Sequence, residues 1–427
     1  MIKDFLEYAK NKGISNVQVN NVIVNQTTLE TMNNNITNYE IVKNESFEIK
    51  ALIDDKIVSY SALGLKHENF KEIIEKLLMA KDIQDEKQDV IFYSKNCEKK
   101  IDRKTSSCDI KLWQKRLLKL NDIRKNNSLI KTINTFFREN VISRIIENTN
   151  EFKVFDSSKN YSLYIEVVVE KDNKMETFSK SIYQIDDSFN ERELLDEVLT
   201  TAINKLEYEV PSKGKYNLIL SEKVISSILE SFLSCFTASE MMEKTSIFQE
   251  SFNKKIASSK VSLEEQVENI NLCGYRYFDD EGTKTKNKDI IKKGIFKTIA
   301  YDLKSAKQNN LESTGNYYGN ISFKNLTLLP SNKTKEELFS LLNDGIYITE
   351  VHGLHSGIDR TTGIISLQAT GMKVENKKVT KALKEFIIST NIFELLENIK
   401  EVSDKVVYTN DIIGCPLVLV EDITVSS

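Results

Sequence analysis

Residues Asp344–Asn376, DGIYITEVHGLHSGIDRTTGIISLQATGMKVEN, constrain the fold more than any other part of the 427-residue chain. The whole protein has 14 Gly and 3 His, and this segment holds five of the glycines (Gly345, Gly353, Gly357, Gly363, Gly371) and two of the histidines (His352, His355). Glycine is needed where the backbone takes positive φ or another group comes close, so the spacing predicts tight turns between short elements. IYITEV and GIISLQA supply those elements. Both alternate apolar and polar side chains with the period of two of a half-buried strand, and both are rich in β-branched residues.

Upstream, residues 17–63 read as strands (VQVNNVIVN, FEIKALID, KIVSYSAL), the last two joined as a hairpin through Asp54-Asp55. Residues 67–81 place Phe70, Ile73, Ile74, Leu77 and Leu78 on one helical face. His67-Glu68 opens like a zinc-protease motif, but position 71 is Lys, and one ring nitrogen does not make a two-histidine helix site. Residues 95–126 hold eleven Lys/Arg against four Asp/Glu. Within them Ile110, Trp113, Leu117 and Leu120 recur at helical spacing, so the charges form the solvated back of a packed helix rather than a nucleic-acid surface. Residues 140–185 return to strand patterning, and RELLDEVLTTAINKLEYE is a helix. Pro211 and Gly214 in EVPSKGKY then mark the main boundary. The expectation is an α+β protein: an N-terminal α/β domain (1–100), a central α/β segment packed with it (101–209), and a Gly-punctuated, β-rich C-terminal domain with a few helices (212–427).

A net charge of −4 and a pI near 5.8 leave no overall nucleic-acid footprint. No apolar run reaches the roughly 18 residues of a membrane span. MIKDFLEYAKNKG, with Asp4 and Glu7, reads as an amphipathic helix closed by Gly13 rather than a signal peptide, which predicts a cytoplasmic chain. The cysteines Cys97, Cys108, Cys235, Cys273 and Cys415 form no CxxC pair and predict free thiols.

The order DGIYITEVHGLHSG, then Asp359, Thr362-Gly363, an S-L pair and G-x-x-x-EN (Gly371 to Asn376), resembles the C-terminal domain of the TldD/PmbA family. That family is described as modulators of DNA gyrase and as subunits of a peptide-processing metalloprotease. FDDEG (Phe278 to Gly282), the hairpin turn at Lys293-Gly294 and STGN (Ser313 to Asn316) extend the resemblance over most of residues 216–427; it is weaker in residues 45–81. A helix capped by Ser221 corresponds to the family helix whose HExxxH binds zinc in TldD-type subunits. Anchoring on Thr245 to Phe248 lays Leu229 to Ser234 on that motif, so Leu229 and Ser234 stand at the histidine positions and Glu230 alone is retained. The family's third ligand is a C-terminal cysteine, and Cys415 aligns off that position, as a buried small hydrophobe.

The resemblance therefore implies a PmbA/TldE-like subunit with no catalytic residue and no metal of its own. Glu230 is a vestige, and zinc is expected in a TldD-like partner. The chain would complete the cleft for an unstructured peptide substrate as one half of a heterodimer. The other reading is a non-catalytic, homodimeric peptide-binding or regulatory protein linked to DNA gyrase or toxin control. Candidates for the peptide cleft are His352, Gly353, His355 and Asp359, with a turn that merely folds the core as the alternative. A metal on His352 and His355 lacks a third histidine nearby, and a Cys273–His355 nucleophile pair lacks an orienting group.

Overall fold

The computed structural model describes residues 1–84, 92, 98–101 and 108–427; Cys97 and parts of the basic stretch lie outside the described residues. The first region runs α1 (Ile2–Asn11), β1 (Asn16–Met32), β2 (Asn35–Ile53), β3 (Lys56–Ala62), α2 (Phe70–Ile83), β4 (Glu98–Ile101), α3 (Ile110–Asn121), β5 (Ile130–Asn148), β6 (Lys153–Lys171), β7 (Lys174–Gln184) and α4 (Glu191–Asn204). Its strands form one sheet in the order β3-β2-β1-β5-β6-β4, with β7 also on β6. The hairpin expected at Asp54-Asp55 is present, with φ of 51° and 61° at the two residues, as a tight two-residue turn requires. Four strands are far longer than their apolar patterns suggested: β1 has 17 residues and β2, β5 and β6 have 19 each. Neighbouring strands hold polar stretches such as Gln26–Thr28 in register, so pairing extends where local propensity alone would have stopped it.

A strand shows alternate side chains to opposite faces, and β1 uses this fully. Val17, Val19 and Leu29 point to a face covered by helices, whereas Gln18, Asn20 and Thr28 point to the other and are also buried. On the helical face, α1 and α2 contribute Phe5, Phe70, Ile73 and Leu77; Leu78, expected among them, is 40% exposed. Farther along, α3 stacks Trp113 on Phe137 at 3.9 Å between ring centres, and α4 adds Leu194, Leu195 and Val198. Burying side chains of this size stabilises by about 1.5–3 kcal/mol each; α3 turns Lys111, Lys115 and Lys119 to solvent, whereas Arg116 packs over Trp113 and pairs with Glu191 at 2.6 Å.

The second region runs β8 (Tyr208–Glu209), β9 (Gly214–Leu220), α5 (Glu222–Ser231), α6 (Ala238–Glu243), β10 (Leu263–Glu265), β11 (Lys288–Lys292), β12 (Ile295–Phe296), α7 (Leu303–Gln308), β13 (Leu326–Leu328) and α8 (Lys335–Leu342). It continues with β14 (Gly345–His352), α9 (Leu354–Gly357), β15 (Ile364–Glu375), β16 (Lys378–Asn391), α10 (Ile392–Glu397), β17 (Ile399–Val402), β18 (Val407–Tyr408), β19 (Ile413–Cys415) and β20 (Val418–Ser426). One sheet is ordered β12-β11-β10-β13-β19-β18, and the other β17-β20-β9-β14-β15-β16-β8. Because β16 also pairs with β20, the strands β20, β9, β14, β15 and β16 close into a ring. Closure removes sheet edges and encloses Leu218, Ile346, Ile348, Ile365, Leu367 and Val420. The alternation expected in GIISLQA holds: Ile365, Leu367 and Ala369 are fully buried, and Ser366 and Gln368 are exposed. The molecule is an α+β protein.

The two regions meet at the FDDEG turn, against the polar face of the N-terminal sheet. Asn20 Nδ2 and Gln18 Nε2 donate to the Asp280 carbonyl at 2.6 and 3.2 Å. Asp156, fully buried, accepts from Arg144 at 3.1 Å and from the Tyr277 N–H at 2.9 Å. Arg276 pairs with Asp280 at 2.7 Å. Asp279 accepts three backbone N–H groups, from Glu281, Thr283 and Tyr317. Gly282 closes the turn at φ +88° with the Phe152 ring lying against it.

Candidate functional site

α5 begins where the sequence places it, with Ser221 Oγ accepting the Val224 N–H at 3.4 Å. It ends sooner. The α-helix stops at Ser231, and Leu233–Phe236 form a separate 3-10 turn, so residues 229–234 straddle a helix end instead of lying on one helix. Leu229, like Val224, Ile225 and Ile228, belongs to the core. Ser227, Glu230, Ser231 and Ser234 recur at three- and four-residue spacing on the opposite side, where they line a cavity of about 550 Å³.

The other wall comes from the Gly-rich segment: Leu354, His355, Ile358 and Arg360. Gly353 takes φ +79° to turn β14 into α9, and at Gly357 a Cβ would stand 2.2 Å from the Ser366 carbonyl oxygen. These two glycines let the short helix fold back on β15 and aim His355 into the cavity. Arg360 donates to Ser234 Oγ at 2.9 Å and lies 3.6 Å from Glu240. Asp359 faces its own turn. Its carboxylate accepts from the Thr361 and Thr362 hydroxyls at 2.7 Å each and from the Thr361 N–H at 2.8 Å. Those bonds hold its pKa down at about 2. His352 is exposed at the end of β14, opposite Gln368 and outside the cavity lining.

Glu230 is half-buried and accepts from Asn410 Nδ2 at 3.0 Å, while Asn410 Oδ1 caps the Ile412 and Ile413 N–H groups. Burial pushes the Glu230 pKa up, Asp411 adds to the rise, and Lys324 opposes it. Cys415 is fully buried on β19, alongside α5, and burial holds its thiol well above the ordinary range. Cys273 lines a different cavity, with Tyr183 and Tyr408.

A catalytic zinc wants three protein ligands and a water. The cavity offers one carboxylate, one imidazole and several hydroxyls, with the Arg360 cation bonded to the residue at the second histidine position. Among the described residues no three His, Cys, Asp or Glu side chains gather as a metal set. This donor set does not fit zinc. What it can do is hydrogen-bond a polar chain with carboxylate, imidazole, hydroxyl and guanidinium groups. Main-chain pairing is more restricted: β14 and β15 are barrel staves with partners on both sides, and β14 outruns β9 only beyond Ile348. Sequence reasoning missed Arg360, whose signal was being the only arginine in residues 344–376, and Asn410, which had none.

The model of the PmbA/TldA metallopeptidase C-terminal domain matches residues 213–427. A PmbA homolog named a metalloprotease, from Buchnera aphidicola (subspecies Acyrthosiphon pisum), is 29% identical over 271 residues, 63% of this chain and 59% of that one. The metalloprotease PmbA of Escherichia coli O157:H7 is 25% identical over 215 residues, 50% and 46% of the two chains. A zinc metalloprotease TldD homolog of Saccharolobus solfataricus is 22% identical over 304 residues, 67% and 68% of the two. The chain thus spans about half the length of the PmbA relatives it matches. Two solved structures share the fold: a protein of Thermotoga maritima named as a DNA gyrase modulator (TM-score 0.89, 24% identity, 100% and 99% coverage) and TldE of Thermococcus kodakarensis (0.86, 16%, 100% of both). Among the described residues no helix is long and apolar enough to cross a membrane. With the C-terminal domain matched over half of its length, the chain belongs to the PmbA/TldD metallopeptidase family.

Proposed function

We propose that this chain is a PmbA/TldE-like subunit of a peptide-processing metalloprotease, completing the peptide cleft for a zinc-bearing TldD-like partner. The observation that carries the reading is the cavity between α5 and α9, where the positions expected to hold metal are filled by a core leucine and an arginine-bonded serine. A carboxylate without a bound metal has no water of lowered pKa to activate, so Glu230 would contact substrate rather than drive hydrolysis. His355, Arg360 and the serine hydroxyls would hold an unstructured peptide through contacts tolerant of its sequence, as suits a processing enzyme. The domain division near residue 100 and the cytoplasmic location belong to the same proposal.

The experiment is purification from the native host with and without a TldD-like chain, followed by metal analysis and peptide cleavage. The chain alone should hold well under one equivalent of zinc and cleave nothing; the pair should cleave unstructured peptides. Stoichiometric zinc retained by the single chain after dialysis against a weak chelator would overturn the proposal.

A further inference from the structure

The α5–α9 cavity has a sign. Arg360, the one permanent cation lining it, donates to Ser234 Oγ at 2.9 Å and stands 3.6 Å from Glu240, so its charge is answered in its own corner. Glu230 is not answered. Its carboxylate takes one side-chain donor, the Asn410 amide at 3.0 Å on Oε2, and among the described residues no Lys, Arg or His comes within ion-pair distance of it. Asn410 is fixed in that orientation because its Oδ1 accepts the Ile412 and Ile413 N–H groups, which leaves Glu230 Oε1 without a donor among the described residues.

The surroundings deepen the negative sign. Glu230 lies in the last turn of α5, which holds no basic residue, and a helix C-terminus carries partial negative charge that ordinarily draws a cation. Burial and then Asp411, exposed and next in the chain to Asn410, push Glu230 up, with Lys324 alone opposing. Glu191, by contrast, titrates low despite its burial because Arg116 bonds it.

The walls say what fits. Ser231 Oγ gives its proton to the Ser227 carbonyl at 2.9 Å, so only its acceptor capacity is left. An ammonium is three donors and no acceptor, the complement of Glu230 and that hydroxyl. Leu354 and Ile358 line the same cavity and offer apolar surface to the stem of a lysine.

We propose that the α5–α9 cavity is a cation pocket in which Glu230 takes an ammonium group of the bound peptide. This names the substrate class for the peptide-cleft reading and rests on that reading. The ammonium belongs either to a lysine side chain or to the peptide N-terminus.

Fluorescence anisotropy of the full chain, alone and with its TldD-like partner, tests this with three peptides of one uncharged, unstructured sequence, each labelled at an amidated C-terminus. One has a free N-terminus, one is acetylated, and one is acetylated with an internal lysine. A peptide bearing an ammonium should bind at least about tenfold tighter than the plain acetylated one. The peptide that shows the preference identifies the source of the ammonium. Glu230→Gln keeps an acceptor for Asn410 and removes the charge, so it should bring the ratio of affinities close to one; that ratio, not turnover, is the readout. Asp411→Asn, at an exposed position, should reduce the ratio in part and serves where the first variant alters the melting curve. Equal binding of all three peptides, or a preference that survives both substitutions, would overturn the pocket. If the peptides bind equally and His355→Ala weakens them all, only the pocket falls; if none binds with or without the partner, the cleft reading falls with it.

Discussion

The FDDEG turn and the α5–α9 cavity both concentrate polar side chains, and both lie in the part of the chain that resembles its family, yet they are opposite kinds of place. At the turn every carboxylate is occupied: Asp279 takes three N–H groups, Asp280 takes Arg276, and Asp156 across the junction takes Arg144 and Tyr277. At the cavity Glu230 has one side-chain partner, Arg360 is more than half exposed, and His355 faces open space. A polar network whose carboxylates are all paired holds two regions together; one left half-satisfied beside a cavity remains free to take a ligand. The richer acidic motif is therefore the structural one.

The largest effect that would break this comparison is on stability. Asp156→Ala strips the partner from the buried Arg144, and urea unfolding should show a loss of about 3–5 kcal/mol with peptide affinity per folded molecule unchanged. A loss under about 1 kcal/mol would mean that the junction does not depend on its ion pairs.

Next is the pH response of the turn. Burial raises Asp279 to about 7 against the pull of its three N–H donors, and burial with the adjacent Asp279 raises Glu281 to about 8. Both folded values exceed the roughly 4 of the unfolded chain, so the proton binds the folded state better. The stability this confers is fully present below pH about 4 and is lost as pH rises through about 7 and then about 8. The urea midpoint should accordingly fall from pH 5 to pH 9, and Glu281→Gln should flatten the upper part of that fall. An unchanged slope in the variant would remove Glu281 from the linkage.

At the cavity the expected effects move from stability to binding. His355→Ala should weaken peptide binding by the assembled complex by about 0.5–3 kcal/mol, the range for a lost hydrogen bond, with the melting temperature unaltered. A lower melting temperature with unchanged affinity would make the α9 turn as structural as FDDEG. Smallest of all is Glu230→Gln, which keeps an acceptor for Asn410 and should leave cleavage by the complex nearly unchanged. A loss beyond about tenfold would place Glu230 in proton transfer, since general acid–base groups contribute about 10²–10⁴-fold.

What the residues alone determined is what depends on near neighbours. The Asp54-Asp55 hairpin, the Ser221 cap of α5, the Trp113 face of α3 and the alternation in GIISLQA are each settled within a few positions by turn geometry, capping and periodicity. Tertiary structure decided what needs a distant partner. The polar halves of β1 and β2 are strands because each pairs with the other, and the barrel exists because β16 meets β20. The helix ends at Ser231, before its apolar pattern does, because Leu233–Phe236 tighten into a 3-10 turn on the core, which takes residues 229–234 off a single helix face. The cavity joins residues 227–234 to residues 354–360, and its Glu230 is held by Asn410, segments separated by dozens to hundreds of positions. Hydrophobic burial and strand pairing bring such residues together without regard to their spacing in the chain, and local patterning carries no trace of the meeting.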